Sequence, residues 1–163
     1  MDQQEYAQRT ETLRPRLYRT ALLYLGGAAD AQEALDEAVY RGLRHLRQLR
    51  QPEFFNTWLT RILLNVCARE LKRRSRLRPV EILPETAGTR DYDALPLQEA
   101  IEKLPEELRA VIVLRFFADY TLEETARALE LPRGTVTSRQ SRALKLLRLE
   151  LGEEAQNESE CGI

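Results

Sequence analysis

The residues best suited to engaging another molecule lie between positions 120 and 147, in YTLEETARALELPRGTVTSRQSRALKLL. Thr135, Ser138, Arg139 and Arg142 recur at helical spacing and share one polar stripe. Lys145 and Arg148 carry the positive charge toward the helix end, and no acid occurs from Thr135 to Arg148. That set offers nucleic-acid chemistry. A guanidinium takes O6 and N7 of guanine together, and hydroxyls reach phosphates or base edges. Val136, Ala143, Leu144 and Leu147 fall on the opposite side, where they pack the helix onto a neighbour. A leading helix is signalled by Thr121 with Glu124 three residues later, a capping box. Its apolar face continues through Ala126 and Leu129, Leu131 serves as a hydrophobic anchor, and Pro132 suits the first turn of the second helix. The pattern is a helix-turn-helix. A plain helical hairpin with a solvated basic face shares it, so context decides between them.

Covalent chemistry has no such foothold. His45 is the sole histidine, and phosphate-cradling glycine loops, metal-ligand clusters and nucleophile motifs are missing from the sequence. The expectation is a protein that is not an enzyme, with no cofactor, no metal and no small-molecule substrate. Cys67 reads as core, and with Cys161 it makes a poor basis for a disulfide framework. The 163 residues carry a net charge of −1, with 43% hydrophobic and 31% charged, an ordinary balance for a globular chain. Apolar runs are too short for a bilayer span and the polar start lacks a signal-peptide core, which predicts a cytoplasmic protein. Near-neutral total charge conceals local asymmetry. RELKRRSRLR, residues 69–78, is a second basic patch with Glu70 as its only acid.

The elements that must position these groups read as all-α, in two small helical domains joined by a flexible linker. The first domain spans residues 1–78, the linker 79–94, the second domain 95–151, and an acidic, frayed tail 152–163. The linker PVEILPETAGTRDYDA breaks helical periodicity with two prolines and a glycine. Fully extended, its sixteen residues reach roughly 55 Å, enough for the units to grip well-separated sites. Helices are predicted near residues 4–25, 29–46 and 55–74, with Asp30 capping the second. Leu35, Val39, Leu43 and Leu46 form its inward stripe, while Glu33, Asp36, Glu37 and Arg41 lie on exposed faces that pattern alone reads as solvated. The third packs through Trp58, Leu59, Ile62, Leu63 and Val66 and runs out into the basic cluster.

Taken together, LYRTALLYLGGAADAQEALDEAVYRGLRHL, then FFNTWLTRILLNVCARELKRR, then LPEELRAVIVLRFFADYTLEETARALELPRGTVTSRQSRALKLL, resemble the extracytoplasmic-function sigma factors. These bacterial proteins retain only the sigma-2 and sigma-4 domains joined by a linker. The resemblance covers nearly the whole chain through the order of its segments. It implies a dissociable initiation subunit that directs core RNA polymerase to promoter DNA and assists promoter melting.

It also implies residue roles. Glu33, Asp36, Glu37 and Arg41 meet the clamp helices of the polymerase largest subunit, and the sigma-4 domain meets the flap. Arg50, Phe54, Phe55, Asn56 and Thr57 form the minus-10 reading loop and helix start, where an unstacked base needs a stacking surface and a short polar reader. Trp58 is either core or a DNA contact. Arg61, Asn65 and Arg69 follow the strand, and Lys72, Arg73 and Arg74 neutralise phosphates. At the minus-35 element, Arg139 and Arg142 contact bases or phosphates, Thr135, Thr137 and Ser138 play secondary roles, Arg133 meets backbone, and Lys145 prolongs the basic face. An anti-sigma factor is an expected partner. The chain departs from the family at Glu130, where many relatives carry glycine, at Thr137, at Gln51-Pro52-Glu53 and at Leu43; these put the promoter sequence in doubt and leave the general activity intact. The rival reading is a polymerase-independent helix-turn-helix regulator, which does not predict an aromatic loop joined to a basic helix in the other domain.

Overall fold

The computed structural model describes residues 1–77 and 95–160, so the linker predicted at 79–94 lies outside the described residues. The described residues are helical or in short turns: α1 (Gln3–Leu25), α2 (Ala28–Arg44), 3-10 turns at Leu46–Gln48 and Pro52–Phe54, α3 (Phe55–Arg76), α4 (Leu95–Lys103), α5 (Glu106–Ile112), a π-helical turn at Val113–Phe117, α6 (Leu122–Leu129) and α7 (Arg133–Glu160). The all-α expectation holds, with the three predicted helices of the first unit displaced by a residue or two at their ends.

Local chemistry sets the boundaries. Asp2 accepts the Glu5 amide at 2.8 Å to open α1, and Gly26 closes it with φ of 81°, a left-handed cap that favours glycine. Thr121 and Glu124 form the reciprocal capping box on α6. Pro132 stands immediately before α7, its carbonyl accepting the Thr135 and Val136 amides. Asp30 does not cap α2; Gly27 takes that position, and the Asp30 carboxylate sits one turn in, bonded to Arg74 at 2.5 Å. The acidic tail expected to fray from residue 152 instead continues α7 as helix to Glu160. Glycine at 152 costs an exposed helix only about 1 kcal/mol relative to alanine, too little to force a stop.

In the first unit α1 packs on α2 and α3 through Tyr6, Leu13, Leu17, Ala21, Leu59 and Leu63, all buried. Each of these leucines contributes about 1.5–3 kcal/mol by leaving water. The predicted stripe of α2 holds in part, with Leu35 buried and Val39 and Leu46 packed against the core, but small residues rather than Leu43 complete the inward face. Ala31, Ala34, Leu35, Ala38 and Gly42 are buried, while Leu43 faces out at 40% exposure. Small residues allow α1 to approach closely: a Cβ on Gly42 would collide with the Tyr6 hydroxyl, which donates to the Val39 carbonyl at 2.6 Å.

The second unit is built on α5 and α7, with Leu108, Val111 and Ile112 buried on one and Val136, Ala143 and Leu147 on the other. Buried Arg109 donates to the carbonyls of Ile101 and Tyr24 at 3.1 Å, of Leu104 at 3.3 Å, and of Glu102. It thereby satisfies orphan acceptors at the ends of α4 and of α1, across the boundary between the units.

That crossing is one of several. The two units, whose relative orientation the sequence leaves open, pack on each other and share one hydrophobic core. In the π turn the Ala118 amide reaches back to the Val113 carbonyl at 3.0 Å, and the chain then delivers Tyr120 to α3. Tyr120 is buried, and its hydroxyl bonds the buried Thr60 hydroxyl and donates to the Asn56 carbonyl at 3.2 Å. Burial raises the Tyr120 phenol above its ordinary pKa, so it stays a donor. From α1, Arg16 donates to the Ala118 carbonyl at 3.0 Å and lies 5.3 Å over the Tyr120 ring.

Candidate nucleic-acid and polymerase interfaces

The α7 surface matches its predicted geometry closely. Val136, Ala143 and Leu147 seat the helix in the core, and Leu144 is partly buried. Arg133, Thr137, Ser138, Arg142 and Lys145 are exposed along the other side, with Thr135 and Arg139 half-buried at its margins. Arg142, Lys145 and Arg133 make no ion pair among the described residues, and Arg139 reaches Glu107 only at 3.9 Å. The Thr137 hydroxyl donates to the Arg133 carbonyl at 3.1 Å, which leaves its oxygen lone pairs free to accept. Arg115 steadies the helix by donating to Gln140 at 3.0 Å and to the Tyr120 carbonyl at 2.6 Å.

The second candidate surface, at the start of α3, is arranged differently from its expectation. Phe55 does not offer a face to a base: it is 1% exposed, set edge-on to Tyr6 at 5.7 Å between centroids and 6.4 Å from Trp58. As first residue of α3 it turns inward onto α1 and anchors the helix start. Phe54, half-buried, is the available ring, and Trp58 is partly buried beside it. These two, with Arg50, Thr57 and Arg61, line a cleft whose far wall is Arg127 of α6. The Arg127 guanidinium lies 4.6 Å over the Phe54 ring, and Arg61 pairs with Glu130 at 2.5 Å. Asn56 is exposed at the rim.

Farther along α3, Asn65, Arg69 and Lys72 are exposed, and the two cations make no ion pair among the described residues. Arg73 and Arg74 do. Arg73 holds Glu70 bidentately at 2.7 and 3.0 Å, and Arg74 holds Asp30 at 2.5 Å, the Leu25 carbonyl at 3.0 Å and Glu70 at 3.3 Å. The Arg73 hydrogen bonds, aided by the charges of both arginines, lower the Glu70 pKa below the ordinary carboxylate range. Arg74 is thus a staple from the end of α3 to the α1–α2 junction, and the phosphate role expected of it competes with that structural one.

On α2, Glu33 and Asp36 are exposed, and Glu37 pairs with Arg41 at 2.5 Å. They border a groove shared with Val66, Arg69 and Glu70 of α3. Sequence reasoning missed Tyr40, 55% exposed on the same helix, which with Leu43 adds apolar surface to the mixed charges. It also missed Arg127, Glu130 and Tyr120, whose partners lie far away in sequence.

Cys67 is buried, and burial pushes its thiol up to about 12, as a core role requires. Among the described residues no group of three His, Cys, Asp or Glu is placed to hold a metal ion, and no helix is long and apolar enough to cross a membrane.

Residues 10–77 match the sigma-70 region 2 family and residues 100–149 match sigma-70 region 4. RNA polymerase sigma factor SigV of Bacillus subtilis is 33% identical over 143 residues, covering 84% of this chain and 85% of the relative. ECF RNA polymerase sigma factor SigM of Mycobacterium tuberculosis is 33% identical over 142 residues, covering 84% of this chain and 72% of the relative. Among solved structures, the fold is similar to that of the sigma factor RpoE in complex with the anti-sigma factor NepR from Bartonella quintana, at a TM-score of 0.74 and 21% identity over 91% of this chain and 97% of that one. It is equally similar to CnrH in complex with the cytosolic domain of CnrY, at a TM-score of 0.74 and 22% identity over 93% and 90%. With a region 2 unit and a region 4 unit in that order, and relatives matched along most of their length, the chain belongs to the extracytoplasmic-function RNA polymerase sigma factors.

Proposed function

We propose that this sigma factor works by recognition alone, in the cytoplasm, bringing core RNA polymerase to promoters and helping the duplex open. The observation that carries the reading is the pairing of a bare basic stripe on α7 with an aromatic and cationic cleft at the start of α3. Duplex DNA calls for the first and an unstacked strand for the second. Helix α7 enters the major groove of the minus-35 element, where Arg139 and Arg142 read bases or hold phosphates and Thr135, Thr137 and Ser138 contribute secondary contacts. Arg133 and Lys145 stay on the backbone.

At the minus-10 element Phe54 stacks on an extruded base, a contact worth about 1–3 kcal/mol, while Asn56 reads its edge. Arg50 and Thr57 frame the cleft, and Arg61, Asn65, Arg69 and Lys72 track the strand. The face of α2 with Glu33, Asp36, Glu37 and Arg41 meets the clamp helices; Tyr40 and Leu43 supply its apolar contact. The sigma-4 unit rests on the flap, and an anti-sigma factor holds the protein inactive, as the similar proteins solved with NepR and CnrY suggest.

Transcription by purified core polymerase from a randomised promoter library tests this directly. Addition of the chain should select templates sharing two spaced elements. Failure to join core polymerase, or to start RNA on any template, would sink the proposal.

A further inference from the structure

The cleft at the start of α3 has walls from α3, from the loop before it and from α6, and its volume of about 510 Å³ is that of a pocket for one small ligand. Two flat groups line it: the Trp58 indole and the exposed Arg127 guanidinium, which lies 4.6 Å over the Phe54 ring. Both are stacking surfaces for an aromatic base. Gln48, Gln51 and Thr57 add amide and hydroxyl groups, donors and acceptors of the kind that read the edge of a base.

Charge is spread unevenly around this cleft. Glu130 takes Arg61 at 2.5 Å and Glu123 takes Arg127 at 3.2 Å, so those two cations are compensated. Arg50 is not. It belongs to a stretch without an acid, residues 38–52, in which Arg44, Arg47 and Arg50 recur at every third position. All three are exposed and make no ion pair among the described residues. That spacing is the one a 3-10 turn stacks on a single side, and such a turn runs Leu46–Gln48. A slot for a base beside bare guanidiniums supplies both halves of nucleotide recognition, stacking for the ring and charge-assisted hydrogen bonds for phosphate oxygens.

We infer that this cleft is also a receptor for a free purine nucleoside triphosphate, its base stacked against Trp58 and Arg127 and its phosphates on Arg50 and Arg47. This role rests on the assignment of the same cleft to an extruded minus-10 base, since a pocket that takes one base from a strand takes the same base untethered. A purine offers more stacking area than a pyrimidine, and three phosphates engage the unpaired arginines better than one. Bound nucleotide and minus-10 strand therefore exclude each other, and the nucleotide concentration sets how much of the protein can read a promoter.

Trp58, the single tryptophan, reports on the cleft directly. Its emission is followed on the full chain during titration with ATP, GTP, CTP, adenosine and tripolyphosphate, and a labelled single-stranded random-sequence pool is titrated with and without ATP. ATP and GTP should quench Trp58 saturably, half-way at a concentration on the order of 0.1–1 mM, and displace the pool. CTP should be several-fold weaker. Adenosine and tripolyphosphate, each offering half of the recognition, should be at least about tenfold weaker. Arg47→Gln/Arg50→Gln, two exposed positions whose change should leave helical circular dichroism intact, should weaken ATP several-fold and leave adenosine unchanged. Tripolyphosphate as effective as ATP would reduce the site to a patch of positive charge and overturn the receptor. If the pool quenches Trp58 and no nucleotide does, the receptor falls and the minus-10 assignment stands; if neither quenches it, both fall.

Discussion

Two basic helices in this molecule meet their surroundings in opposite ways. The cations of α7 look outward with little to hold them, Arg142, Lys145 and Arg133 lacking any ion pair among the described residues. On α3, Arg61, Arg73 and Arg74 are drawn into pairs with Glu130, Glu70 and Asp30, and the neighbouring Phe54 ring is covered. The contrast suits the two kinds of DNA they are assigned. Duplex presents a fixed array of groups that an exposed stripe can meet without change. A single strand exists only after melting, so its reader gains from remaining quenched until then.

The largest effect that could break this comparison is on the shared core. Leu114→Ala, in a fully buried position of the π turn, should cost about 2–5 kcal/mol and lower one cooperative transition followed by calorimetry. Two separate transitions, with only the second displaced, would mean the units do not support each other. Next in size, Arg142→Ala should weaken binding to a minus-35 duplex by about 1–3 kcal/mol while leaving the melting temperature nearly unchanged. Equal loss of fold would make that side chain structural. Third, Asp36→Lys with Glu37→Lys should lower affinity for core polymerase on the order of tenfold, chiefly through the association rate measured by surface plasmon resonance. Full retention would return α2 to a merely solvated face.

The smallest change sharpens the comparison instead. Glu70→Gln should release Arg73, so the salt dependence of single-strand binding should steepen by about one phosphate contact in a titration from low to high salt. The same release should follow acidification. The Glu70 pKa is lowered in the folded protein, so its stabilising pairs are intact above the ordinary carboxylate range and are lost as pH falls through the lowered value. An unchanged slope would show that Arg73 never reaches a phosphate.

What could be read from the sequence was what repeats locally. The 3.6-residue period placed α1, α2 and α3 within two residues, the Thr121 and Glu124 pair marked the start of α6, and the polar stripe of α7 stood out because its packing residues lie opposite. Hidden from it were choices made by partners distant in the chain. Leu43 was expected inward because it is apolar, yet α1 needs the small residues Ala38 and Gly42 to come close. Phe55 was expected with Phe54 to offer stacking surface to a base, yet as first residue of α3 it turns inward to Tyr6, while Phe54, in the preceding 3-10 turn, faces Arg127. Thr60 and Tyr120 are sixty residues apart and neither announces the other.

The π turn at Val113–Phe117 has one more consequence. Such a turn holds one residue more than an α-turn, and that surplus rotates everything downstream by about a quarter of a revolution. Excise it and Tyr120 swings off Thr60, taking the whole helix-turn-helix with it, although no side chain in the interface has been altered. The angular setting between the two halves therefore resides in a count of backbone atoms. Drift among side chains leaves that setting intact, and a single-codon deletion resets it at once.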